Sequence, residues 1–185
     1  FTTSAFIGAY VLHSKWGISQ GFDHFSDDFD LKKYYTTDSE IEKNAETVLT
    51  DASKWLRNRA HDEGRFFAWI HLFDPHRPYK APAPYDTKYP DAPYRGEVEY
   101  MDYQLGKFFQ YLDKEGLSDN TLIIVTADHG EGLGDHGERT HGLFVYDTTI
   151  HVPLIVRAPF SFPASRVKGL VEHVDIVPTI LHAFD

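Results

Sequence analysis

The 185-residue sequence contains no cysteine. Disulfides, thiolate metal ligands and a thiol nucleophile are therefore excluded within this chain, while the compartment stays open. Positive charge is scarce. The 18 Lys and Arg residues stand against 28 Asp and Glu, a formal net charge of −10. With no Lys/Arg run, that balance argues against nucleic acid or an anionic membrane as a partner. No apolar run approaches about 18 residues, so this piece holds no membrane-spanning segment. No basic n-region with an apolar h-region is visible either. There is no P-loop and no Ser/His/Asp triad on a nucleophile elbow. What is present is a hydrophobic content of 42%, which argues against disorder. The length suits one domain or a large piece of one. Phe1 opens inside a strand-like stretch and Asp185 follows an apolar, helix-like run. The sequence is therefore expected to be truncated at both ends, and localisation is left unknown.

The apolar pattern alternates between strand and helix. Phe1 to Tyr10 reads as a short buried strand, and Val11 to Tyr35 as an aromatic-rich loop. Ile41, Ala45, Val48, Leu49, Ala52, Trp55 and Leu56 make one stripe and predict a helix from Thr37 to Ala60. Thr37 or Asp38 would cap it, with Glu40 at capping-box distance from Thr37. The run Phe66 to Phe73 has strand length and no alternation, which predicts burial on both faces. The segment from Asp74 to Pro93 is rich in proline and predicts a stiff loop outside any sheet. A second helix is expected from Gly96 to Glu115, with Gly116 at its C′ position. Thr121 to Ala127 and Val152 to Val156 read as further strands, and Val171 to Phe184 as a strand edge and a short helix. This alternation predicts α/β architecture with a mainly parallel sheet.

In open α/β sheets, ligands bind beyond the carboxyl ends of strands. Two polar clusters fall at such ends. Asp128 and His129 follow the strand TLIIVTA and could turn together toward one divalent cation, with glycines after them freeing the backbone. The same residues also suit a solvated glycine-rich turn. His76 stands on the stiff loop after Asp74-Pro75 and could donate to an anion or a leaving oxygen, or be a surface histidine. His141 carries the same two readings. Asp135-His136-Gly137 echoes Asp128-His129-Gly130 but does not leave a strand directly, so His136 reads as a loop or pocket-wall residue. His71 reads as a core histidine, and Asp27-Asp28 as solvated acids. The segment Ser161 to Arg166 misses the Ser-x-Pro-x-Arg spacing by one residue and is rejected as a nucleophile motif.

The segment TADHGEGLGDHGERTHGLFVYDTTIHVPLIVRAP, from Thr126 to Pro159, resembles the sulfatase branch of the alkaline phosphatase superfamily. So do HLFDPHRPY from His71 to Tyr79, the loop GFDHFSDDFD, and VDIVPTIL from Val174 to Leu181. The resemblance runs over nearly the whole chain, in order. It implies a mixed, mainly parallel sheet flanked by helices, with residues 1–185 forming part of one catalytic domain. It implies a sulfuric ester hydrolase whose formylglycine nucleophile and first aspartate pair lie upstream of Phe1. By the same resemblance Asp128 and His129 match the late metal pair, His76 the leaving-group histidine, and His141 the cation beside the sulfate. Calcium is the cofactor implied, with Mn²⁺ or Zn²⁺ as alternatives that suit an imidazole ligand. The expected substrate is a small-molecule or saccharide sulfate ester. The piece alone is expected to be inactive. Two other readings stay open: a phosphodiesterase, phosphonate monoester hydrolase or phosphoryl transferase of the same superfamily, and a non-catalytic α/β binding module.

Overall fold

The computed structural model describes residues 1–31, 41–59 and 64–184, and it divides into two compact units, Phe1–Leu117 and Ser118–Asp185.

In the first unit, strand β1 (Thr2–Ile7) is paired on both sides. Strand β2 (His24–Ser26) lies on one edge and β3 (Phe66–His71) on the other, both parallel to β1. Ala5 faces Phe25 and Trp69 in register. Ser4 through Ile7 are fully buried. The all-parallel arrangement points the carboxyl ends of the three strands toward one edge. Gly8 is required just past β1, because a Cβ there would sit 2.8 Å from the His71 carbonyl oxygen. Strand β2 falls in the stretch expected to be loop, since three residues of mixed polarity give no periodicity. The burial expected for β3 on both faces is not found: its residues are half-buried, and Phe67 is 46% exposed. In this three-stranded sheet β3 is an edge strand.

Helix α1 (Ala45–Arg59) packs over β1 and β3 with Ala45, Val48, Leu49, Ala52 and Leu56 buried. The stripe read from the sequence is the buried stripe. The helix starts eight residues later than expected. Residues 41–44 lie outside the helix, and Glu42 forms an antiparallel bridge with Ala9. Asn44 caps the first turn by accepting the Thr47 N–H at 3.0 Å. The Ala45 N–H goes to Asp74 Oδ2 at 2.7 Å. The caps expected at Thr37 and Asp38 lie outside the described residues.

After β3 the chain follows the proline-rich segment, which holds a single short turn of helix, α2 (Tyr85–Lys88). Helix α3 (Pro93–Lys114) then packs against α1 and α2. Proline at its start costs no intrahelical hydrogen bond. Gly96 is needed there, since a Cβ would lie 2.9 Å from the Tyr85 carbonyl oxygen. The helix ends in a Schellman motif. Gly116 takes φ +71°, its N–H reaches the Asp113 carbonyl at 3.1 Å, and the Leu117 N–H reaches the Leu112 carbonyl at 2.9 Å. Its buried face centres on Glu97, Tyr100, Gln104, Phe108 and Leu112. Val98 lies off that face and is 37% exposed. Tyr111 ties α3 to α1 by donating its hydroxyl to the Ser53 carbonyl at 2.8 Å.

The second unit holds β4 (Ile123–Thr126) paired antiparallel to β5 (Leu154–Arg157), with helix α4 (Asp147–Ile150) between them. Helix α5 (Ile176–Phe184) follows a short 3₁₀ turn, and the strand edge expected near Val171 is not seen among the described residues. Arg157 holds the start of the unit through the Ser118 carbonyl and Asp119. No described helix is long and apolar enough to cross a membrane.

Asp74→Ala removes the acceptor of the first N–H of α1. It is expected to lower stability by about 1–2 kcal/mol, read as the denaturant midpoint at unchanged m-value.

Candidate active site

The chain leaves β4 at Ala127 and turns at once. Asp128 Oδ1 accepts the His129 N–H at 3.0 Å, which folds the carboxylate back over the histidine. His129 Nδ1 lies 2.8 Å from the Gly130 carbonyl oxygen. A carbonyl can only accept, so Nδ1 carries the proton, and in the neutral ring the lone pair is on Nε2. That nitrogen lies 3.8 Å from Asp128 Oδ1. One carboxylate oxygen and one imidazole nitrogen thus stand near each other at the end of a strand, with Asp128 largely exposed.

The glycines that follow are fixed by close approach. A Cβ on Gly130 would sit 2.1 Å from the Thr148 carbonyl oxygen, and one on Gly132 2.5 Å from that of Thr140. Their N–H groups bond Thr149 and Thr140 carbonyls at 2.8 and 2.9 Å. This tight return brings His141 back onto His129. The two rings stack with centroids 4.0 Å apart. His141 Nδ1 lies 3.4 Å from Glu131 Oε1, whose side chain is nearly buried. Glu138, also buried, accepts the Leu143 and Phe144 N–H groups at 2.9 and 3.3 Å and closes the loop from inside. His173 Nε2 reaches the Ala127 carbonyl oxygen at 2.9 Å, just before Asp128. His136, with φ +51°, stacks on Tyr146 instead.

Asp128, His129 and His141 are therefore neighbours. Glu131 and His173 join them, and neither was read from the sequence. Glu131 is one of several acids in its segment, with nothing in the sequence to set it apart. His173 comes from 46 residues downstream of the carbonyl that it meets.

The donor set suits a divalent cation in chemistry, since a carboxylate oxygen and an imidazole fixed in one tautomer by a backbone carbonyl are normal ligands. It supplies two donors. Among the described residues no group of three or more His, Asp or Glu side chains could hold a metal ion.

His76 belongs to the first unit. Its ring stacks on Phe73 with centroids 3.9 Å apart, and its Nδ1 lies 2.7 Å from the Arg77 carbonyl oxygen. Its backbone N–H goes to Glu97 Oε2 at 3.0 Å. Glu97 is only 4% exposed and takes the Lys80 N–H on its other oxygen. Burial pushes the Glu97 carboxyl up to about 7, with help from the Asp74 charge and against the pull of the two N–H groups. Burial also raises Asp74. Asp27 and Asp28 have local partners: Asp27 accepts the Ser14 N–H at 2.7 Å, and Asp28 pairs with Lys43 at 2.7 Å. His71 ends β3, half-buried, with its ring between Trp69 and Phe73.

The folds of solved structures agree with this architecture. A phosphonate monoester hydrolase from Silicibacter pomeroyi superposes with a TM-score of 0.69 at 23% identity, over 98% of this chain and 55% of that one. Such neighbours place the chain in the alkaline phosphatase type of α/β domain. The Sulfatase family model matches residues 3–185, and the chain belongs to that family. Among relatives, the multifunctional alkaline phosphatase superfamily protein PehA of Trinickia caryophylli is 41% identical over 93 residues, 49% of this chain and 18% of that protein. The ulvan-active sulfatase of Formosa agariphila is 26% identical over 200 residues, 88% of this chain and 39% of its own length. The chain thus matches less than half the length of either relative.

Two outcomes are expected from this geometry. Gly130→Ala has no room for its Cβ and should cost about 1–3 kcal/mol, read by thermal unfolding. The raised carboxyl of Glu97 keeps a proton in the folded state that the unfolded chain loses near pH 4.5. Its contribution to stability is complete below that pH and is lost as pH rises through about 7, and Asp74 acts in the same sense. The melting temperature should fall between pH 5 and pH 8, and Glu97→Gln should flatten that slope.

Proposed function

We propose that this chain is the central part of a metal-dependent sulfuric ester hydrolase. The observation that carries the reading is the convergence of Asp128, His129 and His141 at the end of β4 in a Sulfatase-family chain. Asp128 Oδ1 and His129 Nε2 are the atoms proposed to hold the cation. Calcium follows from the family resemblance, while the imidazole ligand suits Mn²⁺ or Zn²⁺. The bound cation would stabilise the negative charge of the transferring group. The remaining metal ligands and the formylglycine nucleophile are assigned to a segment outside these residues.

The chain's own groups then have separate tasks. Gly130 takes the Nδ1 proton of His129 into a hydrogen bond and so keeps Nε2 free of a proton for the metal. His141, backed by the Glu131 carboxylate, is placed as a cationic partner for the anionic ester. His76, when protonated, offers Nε2–H to the leaving oxygen, since Nδ1–H already serves the Arg77 carbonyl. The proposed substrate is a small-molecule or saccharide sulfate ester.

A second reading, phosphonate monoester or phosphodiester hydrolysis, is favoured by the histidine in the metal pair, since imidazole suits Zn²⁺ or Mn²⁺ better than calcium. The two are separated by assaying the full-length protein on 4-nitrophenyl sulfate and on 4-nitrophenyl phenylphosphonate, with metal analysis of the purified sample. Preference for the sulfate supports the first reading, and preference for the phosphonate the second. Asp128→Ala and His129→Ala should each remove the bound metal and lower kcat by about 10²-fold or more. Metal content and kcat unchanged in both variants would sink the metal-dependent reading. Turnover by residues 1–185 alone would show that the nucleophile lies within them.

A further inference from the structure

Glu97 lies on the first turns of α3, yet its carboxylate is spent on neither helix nor solvent. It is 4% exposed, and its two oxygens accept the backbone N–H groups of His76 and Lys80. Between those two residues lies Pro78, and Pro75 precedes them, so two positions of this loop lack an N–H. Between Pro75 and Lys80 the remaining backbone donors are those of Arg77 and Tyr79. Gly96, the residue before Glu97, lets α3 lie against the chain that follows Lys80, since a Cβ there would meet the Tyr85 carbonyl and the Ala81 side chain. The charges that bear on Glu97 are Asp74 after β3 and Glu42 before α1, both acidic and both unfavourable to it. The carboxylate is thus held among like charges, out of water, on the loop that carries His76.

We propose that Glu97 is a positioning residue for ester hydrolysis: by fixing the backbone at His76 and Lys80, it sets where the His76 ring meets the leaving-group oxygen. This rests on the reading of His76 given above. A purely structural Glu97 would affect folding alone. A positioning Glu97 affects the step that needs His76, and only while His76 is there. Misplacement of such a group by a fraction of an ångström is enough to slow that step.

The test is a double-mutant cycle in the full-length protein with two esters of whichever anion it hydrolyses, one with a 4-nitrophenyl and one with a phenyl leaving group. His76→Gln is expected to lower kcat on the phenyl ester about 100-fold and on the 4-nitrophenyl ester much less. Glu97→Gln should lower kcat on the phenyl ester about 10-fold, with KM within about twofold. The double variant should match His76→Gln alone. Losses that multiply in the double variant, or a Glu97→Gln loss equal for both esters, overturn the proposal while leaving the His76 role intact. A silent His76→Gln overturns the leaving-group role and this inference with it. Where Glu97→Gln does not fold, Glu97→Asp keeps the charge but shortens its reach, and the same cycle is read with it.

Discussion

The first unit depends on one constraint: β1 is buried on both faces and paired, in parallel, on both edges. Parallel pairing puts the carboxyl ends of β1, β2 and β3 at one edge of the sheet. The segments that follow those strands must therefore turn near one another. Gly8 after β1 packs on the backbone after β3, and Asp74 after β3 reaches the start of α1. The His76 loop is held by this arrangement, with proline stiffening it from within and Glu97 gripping it from α3.

The second unit reaches a similar end with different means. Its strands are antiparallel, and the long connection between β4 and β5 carries the polar cluster. Two glycines with no room for a Cβ let the loop close on itself, and buried Glu131 and Glu138 satisfy polar groups inside it. The result is a loop braced from inside, on which the rings of His129 and His141 stack. In the role proposed for them, groups braced in this way suit electrostatic stabilisation, which works best when its dipoles and charges do not have to reorganise.

Much of this was legible in the sequence, for reasons that differ by element. The stripe of α1 reports burial directly, because that side of the helix faces the core. The runs of β3 and β4 reveal the strands but overstate their burial, since the residues of both are mostly half-buried. Strand β2 was illegible because three residues are too few for a period. The start of α1 was misplaced because the extended pairing of Glu42 with Ala9, and the cap from Asp74, are tertiary interactions with no local trace. At the site, Asp128, His129 and His141 stand out because glycines frame them. Glu97 does not, being one of several acids in an amphipathic helix. Its signal was faint: a carboxylate on the apolar side of α3, beside Tyr100, where solvent-facing charge is not expected.

The cap on α1 has a kinetic side. The helix borrows its first acceptor from Asp74, 29 residues downstream of Ala45. Its apolar face also needs β1 and β3 in place. Local propensity can form the middle of this helix early, but its first turn has to wait until the chain has come back through β3 and closed that loop. Order at the amino end of α1 is thus a report on the docking of β3, and amide exchange at Ala45 should follow the opening of that strand rather than fraying of the helix.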